Sequence, residues 1–133
     1  MTRERLPQTR RSCVTNLRLL HDEGQMDIYV TVGFYRDGRV GEVFCQAGHC
    51  GSRTSGWLDL TMTMASIALQ CGAPYRQVLG KMLGQRFAPD GRLLDAPECM
   101  RDSQSPHVNV SSPADAVARY MLARWPEGRE VAA

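Results

Sequence analysis

Gly48 to Gly56 (GHCGSRTSG) sets a thiol, an imidazole, a guanidinium and three hydroxyls among three glycines. That composition could serve three kinds of chemistry. Glycines let backbone N–H groups approach a ligand, and a helix beginning directly afterwards would aim the positive end of its dipole at the same place. Gly48, His49, Cys50, Gly51, Ser52, Arg53 and Ser55 therefore form a candidate anion or nucleotide site. The same residues also suit a tight strand-to-helix turn capped by Ser52 or Ser55, and the Gly-Lys-Ser/Thr ending of a phosphate-binding loop is missing. Secondly, Cys50 next to His49 at a helix start is a candidate nucleophile, since the dipole would lower the thiol pKa. Adjacent side chains do not face one another, however, and no orienting acid is evident. Thirdly, a zinc or iron site would have to draw on Cys45, His49 and Cys50, joined by Cys71, Cys99 or His107. The short spacing supplies three ligands at most where tetrahedral zinc wants four, and core cysteines with a loop histidine are the simpler reading. No catalytic residue, metal or cofactor is therefore assigned.

A second chemistry lies at the N-terminus. Residues 1–12 hold Arg3, Arg5, Arg10 and Arg11 against the single acid Glu4, although the whole chain carries a net charge of only +2. Such an arm could contact nucleic acid; it could equally be a solvated, flexible leader. Tyr29, Tyr35, Trp57 and Trp125 could stack on bases, but aromatics on strands and at helix ends more often make core or cap contacts.

These residues have to be held by a scaffold, and 133 residues with 43% hydrophobic and 23% charged content suit one globular domain. No apolar run approaches the roughly 20 residues that span a bilayer, and none follows the N-terminal charges as a secretory signal would, which points to the cytoplasm. The five cysteines form no CxxC pair and are odd in number, as expected of reduced thiols.

Cys13 to Leu20 reads as a strand. Asp27 to Tyr35 reads as a second, with Ile28, Val30, Val32 and Phe34 on one face and Tyr29, Thr31 and Tyr35 on the other. Asp37-Gly38 marks a hairpin tip, and Val40 to Gln46 returns as the third strand, with Val40 and Phe44 on one face and Val43 and Cys45 on the other. Trp57 to Cys71 is apolar on nearly all sides, which predicts a helix buried in a core. Gly72 ends it, and Pro74 to Leu83 predicts a second helix. From Gln85 to Ser111 the pattern dissolves into Pro, Gly, Asp and Ser, a length of connection that is functional or disordered. Ser112-Pro113-Ala114-Asp115 then opens a third helix, running to about Arg124 and stopped by Trp125-Pro126.

Asp27 to Val32 (DIYVTV), Asp37 to Phe44 (DGRVGEVF), Gly48 to Ser52 (GHCGS), Ser66 to Pro74 (SIALQCGAP) and Leu79 to Arg86 (LGKMLGQR), in this order, resemble the TSCPD domain. That family includes a C-terminal module of adenosylcobalamin-dependent ribonucleotide reductases and a set of small stand-alone proteins. Members with a cysteine set place four cysteines in what looks like a metal site. The matching positions here are Gln25, Cys50, Phe87 and Ser112, and Val110 to Ala114 (VSSPA) stands where the motif that names the family would be. With Cys50 alone retained, the resemblance implies no structural metal.

The fold expected is α+β, a three-stranded antiparallel meander with two or three helices packed on one face. Residues 1–12 would be a basic flexible arm, 13–125 a single TSCPD-like domain and 126–133 a tail. The resemblance implies an accessory module of deoxyribonucleotide synthesis that binds a ribonucleotide reductase subunit or a nucleotide and does not catalyse by itself. The alternative is a small nucleic-acid-associated or regulatory protein, of phage type, that uses the arginine arm. Open sheet edges leave room for a homodimer.

Overall fold

The computed structural model describes residues 2–48 and 52–130, without the side chain of Ser52. Strands β1 (Ser12–His21), β2 (Gly24–Phe34) and β3 (Val40–Gly48) form the expected meander. Among the described residues all strand pairings are antiparallel, and the sheet has five strands in the order β3-β2-β1-β4-β5. The two further strands, β4 (Gly91–Leu94) and β5 (Val108–Val110), lie with a three-residue 3-10 helix (Glu98–Met100) inside the stretch Gln85 to Ser111, whose composition predicts only a connection. They are short, and only Leu93 and Val110 bring buried apolar side chains, so they carry no alternation of their own. Their order comes from pairing β4 with β1, a contact between residues more than 70 positions apart, such as Arg18 with Leu94.

One face of the sheet is the core face. Leu17 and Leu19 of β1, Met26, Ile28, Val30 and Val32 of β2 and Val43 of β3 are at most 1% exposed. Helices α1 (Ser52–Gln70), α2 (Tyr75–Met82) and α3 (Pro113–Arg124) supply the other half of this core through Leu58, Met62, Leu79, Val117, Tyr120 and Met121. Trp125 closes one end, edge-on to Phe34 and Tyr120 at centroid distances of 5.3 and 5.8 Å. Gly38 turns the β2–β3 hairpin at φ 93°, a conformation open to glycine.

One predicted face assignment fails. Val40 is buried with Val43 and Cys45, whereas Phe44 is exposed. The pairing passes from Gly33 with Glu42 to Phe34 with Val40, so Gly41 bulges out of the ladder and the alternation inverts across it.

Candidate functional site

Of the predicted anion site, Gly48 ends β3, while Ser52, Arg53 and Ser55 belong to the first turn of α1; His49, Cys50 and Gly51 lie outside the described residues. The helix starts five residues earlier than the apolar pattern indicated, so Ser55 sits inside it and cannot be its cap. Arg53 is exposed, has no acceptor among the described residues, and stands in a first turn free of acidic side chains. The described thiols form no metal-binding cluster. Cys45 is in the core, where burial pushes its pKa up to about 12, and Cys71 follows the far end of α1. Cys99 is exposed on the 3-10 helix, and His107 accepts the Asp95 N–H through Nδ1 at 3.3 Å. Among the described residues no three or more His, Cys, Asp or Glu side chains could hold a metal, and no described helix is long and apolar enough to cross a membrane.

Helix α1 is two-sided, not buried all round as its composition predicted. Leu58, Met62, Ala65, Ser66 and Gln70 face the core. On the opposite side Trp57, Leu60 and Met64 are 60%, 51% and 57% exposed. The buried polar pair explains where the helix sits. Ser66 Oγ accepts the Val43 N–H at 2.9 Å and donates to the Val43 carbonyl at 3.1 Å, and Gln70 Nε2 donates to the Gly41 carbonyl at 3.0 Å. These are outward groups of β3, the outermost strand on that side, which otherwise would offer them to another chain. Side chains of α1 therefore stand in for a neighbouring strand.

The sheet face opposite the helices is open. Val14, Thr31 and Phe44 lie side by side across β1, β2 and β3, and Asn16, Tyr29 and Gln46 form the next row. Val14 is 62% exposed, and Phe44 and Tyr29 are nearly half exposed, so an apolar surface faces solvent there. At the hairpin end the same face is covered by the chain's first residues. Gly33 leaves a gap over which Glu42 lies, since a Cβ at that glycine would come within 2.3 Å of the Glu42 carboxylate. The Arg10 guanidinium holds both Glu42 oxygens, the second at 3.1 Å. Arg11 binds Glu130, Arg3 Nε donates to Gln70 at 2.7 Å, and the Glu4 N–H donates to the Gln70 carbonyl at 2.8 Å. Three of the four arm arginines thus have acceptors within the fold.

By sequence alone Asp115 is only a helix-starting acid. Ser112 Oγ accepts its N–H at 3.0 Å, as an N-cap should. Its fully buried carboxylate accepts N–H groups from Gly84 at 2.6 Å and Ser111 at 2.8 Å, and Arg119 Nε at 2.9 Å. Burial alone would raise its pKa; the two backbone donors and the arginine outweigh that and hold it below the ordinary carboxylate value. Asp115, directly after the segment Val110 to Ala114, therefore clamps the end of α2 to the start of α3. Nearby, the Tyr120 hydroxyl lies 2.6 Å from both Thr15 Oγ1 and Arg124 Nη1, tying α3 to β1. Each of these groups is satisfied by the fold, and among the described residues the open sheet face and the outer side of α1 present exposed apolar side chains.

The sequence profile of the TSCPD domain matches residues 3–123. The chain is 40% identical over 89 residues to a vitamin B12-dependent ribonucleotide reductase of Rhodopirellula baltica, covering 67% of this chain and 8% of that protein. Proteins of the same name from Streptantibioticus cattleyicolor and Streptomyces clavuligerus are 35% identical over 103 residues and 34% over 108, covering 77% and 81% of this chain but 16% and 11% of theirs. The chain thus spans less than a fifth of the length of the curated relatives it matches. No solved structure matches it.

Proposed function

Because the chain belongs to the TSCPD domain family, we propose that it is an accessory module of deoxyribonucleotide synthesis, acting through contact with a ribonucleotide reductase chain and performing no reduction by itself. The observation that carries this reading is the open apolar sheet face. Antiparallel sheets commonly leave one face to water, and that face is then expected to be polar. Here Val14, Tyr29 and Phe44 project from it between Thr31, Asn16 and Gln46, while the buried acid, tyrosines and thiol are committed to holding the fold. A module of this construction works by what it touches. Its relatives carry the matching segment within much longer chains, which supplies the class of partner.

A second reading adds a nucleotide or other phosphate-bearing anion at Gly48 to Ser55. The exposed Arg53 and the absence of acids from the first turn of α1 favour it. The arginine arm offers less to nucleic acid than its charge suggests, since Arg3, Arg10 and Arg11 already have acceptors.

A ribonucleotide reduction assay tests the accessory role. The chain alone should show no turnover, and added to the vitamin B12-dependent reductase of its own host it should change that enzyme's rate or assembly. Placing a charge on the open face at Phe44 (Phe44→Glu) should remove the effect while leaving the fold intact. Turnover by the chain alone, or an unchanged reductase, would refute the reading.

A further inference from the structure

We propose that the outer side of α1 is a self-association seam, on which two copies of this chain pair their α1 helices antiparallel across a two-fold axis. From Trp57 the exposed apolar residues recur at Leu60 and Met64, with half-buried Ile67 next, which are steps of three, four and three. These are successive a and d positions of a heptad, and a stripe confined to them is the pattern of a helix that meets one other helix. Leu58, Met62 and Ala65, on the other side of α1, are already in the core. The helix thus carries two separate apolar faces, and only one has a partner among the described residues.

A second copy fits this seam for four reasons. Read in opposite directions about residue 62, the positions match one another: Leu60 meets the Met64 of a second copy, and Trp57 meets its Ile67, a large ring against a smaller side chain in each outer layer. The flanking positions Thr61, Thr63 and Ala68 are uncharged, so two copies approach without like-charge repulsion. The alternative route to a symmetric pair, through the edge of β3, is obstructed because Ser66 and Gln70 hold the outward groups of Val43 and Gly41. Lastly, Gly56 lies in α1, is exposed, and has nothing within 4 Å of the place a Cβ would occupy. Glycine there costs about 1 kcal/mol relative to alanine, and the described residues give no packing reason for it. Beside Trp57, a close-packed second helix does.

The seam from Trp57 to Ile67 is about 15 Å long, so the pair falls in the class of small interfaces below about 1,200 Å2 and should be reversible, with a Kd on the order of 10 µM. The inference does not rest on the accessory role.

Sedimentation velocity of the full chain from about 1 to about 200 µM reads it directly. The wild type should pass from monomer to dimer, and Leu60→Glu and Met64→Glu should each remain monomeric with unchanged circular dichroism and, at low protein concentration, unchanged melting, since both side chains are exposed. Trp57 gives a readout without a variant: its emission should move to shorter wavelength with concentration, Trp125 being buried already. A wild type monomeric throughout, or a dimer that survives the Leu60→Glu, Met64→Glu double substitution, would overturn the proposal.

Discussion

Ser66 and Val43 are joined twice: the serine hydroxyl accepts the valine N–H at 2.9 Å and returns its proton to the valine carbonyl at 3.1 Å. One side chain on α1 thereby satisfies both outward backbone groups of a residue on the outermost strand. Helix position, edge protection and the orientation of the exposed Trp57 side follow from the same contact.

Ser66→Ala removes both bonds in a buried setting. The cost expected is about 2 kcal/mol, because the two backbone groups of Val43 are left without partners. Urea denaturation should show a lower midpoint with an unchanged slope, and the variant should aggregate more readily through the opened edge.

Asp115 gives the fold a defined acid limit. Its pKa is lower in the folded chain than the roughly 3.9 of an unfolded one, so its contribution is complete above that value and is lost as pH falls through the folded pKa. Asp115→Asn should cost about 2–3 kcal/mol at pH 7, and the gap to wild type should narrow below about pH 4. Guanidinium melts at several pH values would show a constant gap if folding left the pKa of this carboxyl unshifted.

Arg10 and Glu42 behave as a pair across the arm and the sheet. The Glu42 side chain is 8% exposed and that of Arg10 is 29% exposed. Arg10→Ala should cost about 2 kcal/mol, less than a fully buried pair, because it strands a carboxylate that solvent reaches only in part. Glu42→Gln in that background should recover part of the loss. A double-mutant cycle with simply additive effects would show that the two are not coupled.

Gly56→Ala should stabilise the monomer by about 1 kcal/mol, because α1 gains helix propensity and the added methyl meets no neighbour. At high concentration the same change should weaken self-association. Melting temperatures measured at low and high protein concentration separate the two effects.

The hairpin and the third helix were legible because their signals are local. Alternation in Ile28, Val30 and Val32, Asp37-Gly38 at the tip, and Ser112-Pro113 at a helix start each report on a few adjacent residues. The inversion across Gly41 was not, since a bulge changes the face of later residues without changing the pattern that suggests them. Strands β4 and β5 depend on pairing across the chain, and seven residues of irregular sequence cannot announce that. Gly91 held a trace of it: a Cβ there would fall 1.9 Å from the Leu20 carbonyl oxygen, so the strand can lie against β1 only with glycine. The all-round apolarity of α1 concealed two faces with different fates. Telling them apart takes knowledge of which side meets β3, and that is fixed by the small polar Ser66 and Gln70, not by hydrophobic periodicity. The candidate site at Gly48 to Ser55 was legible as a composition only; its first turn belongs to α1, and His49, Cys50 and Gly51 lie outside the described residues.

Native mass spectrometry of the chain purified from its own host tests the accessory role most directly, because it records partner and stoichiometry together. The prediction is a complex with a ribonucleotide reductase chain in fixed ratio, lost on Phe44→Glu. A bare monomer or dimer, with the host's reductase present in the same extract and free of this chain, would contradict it.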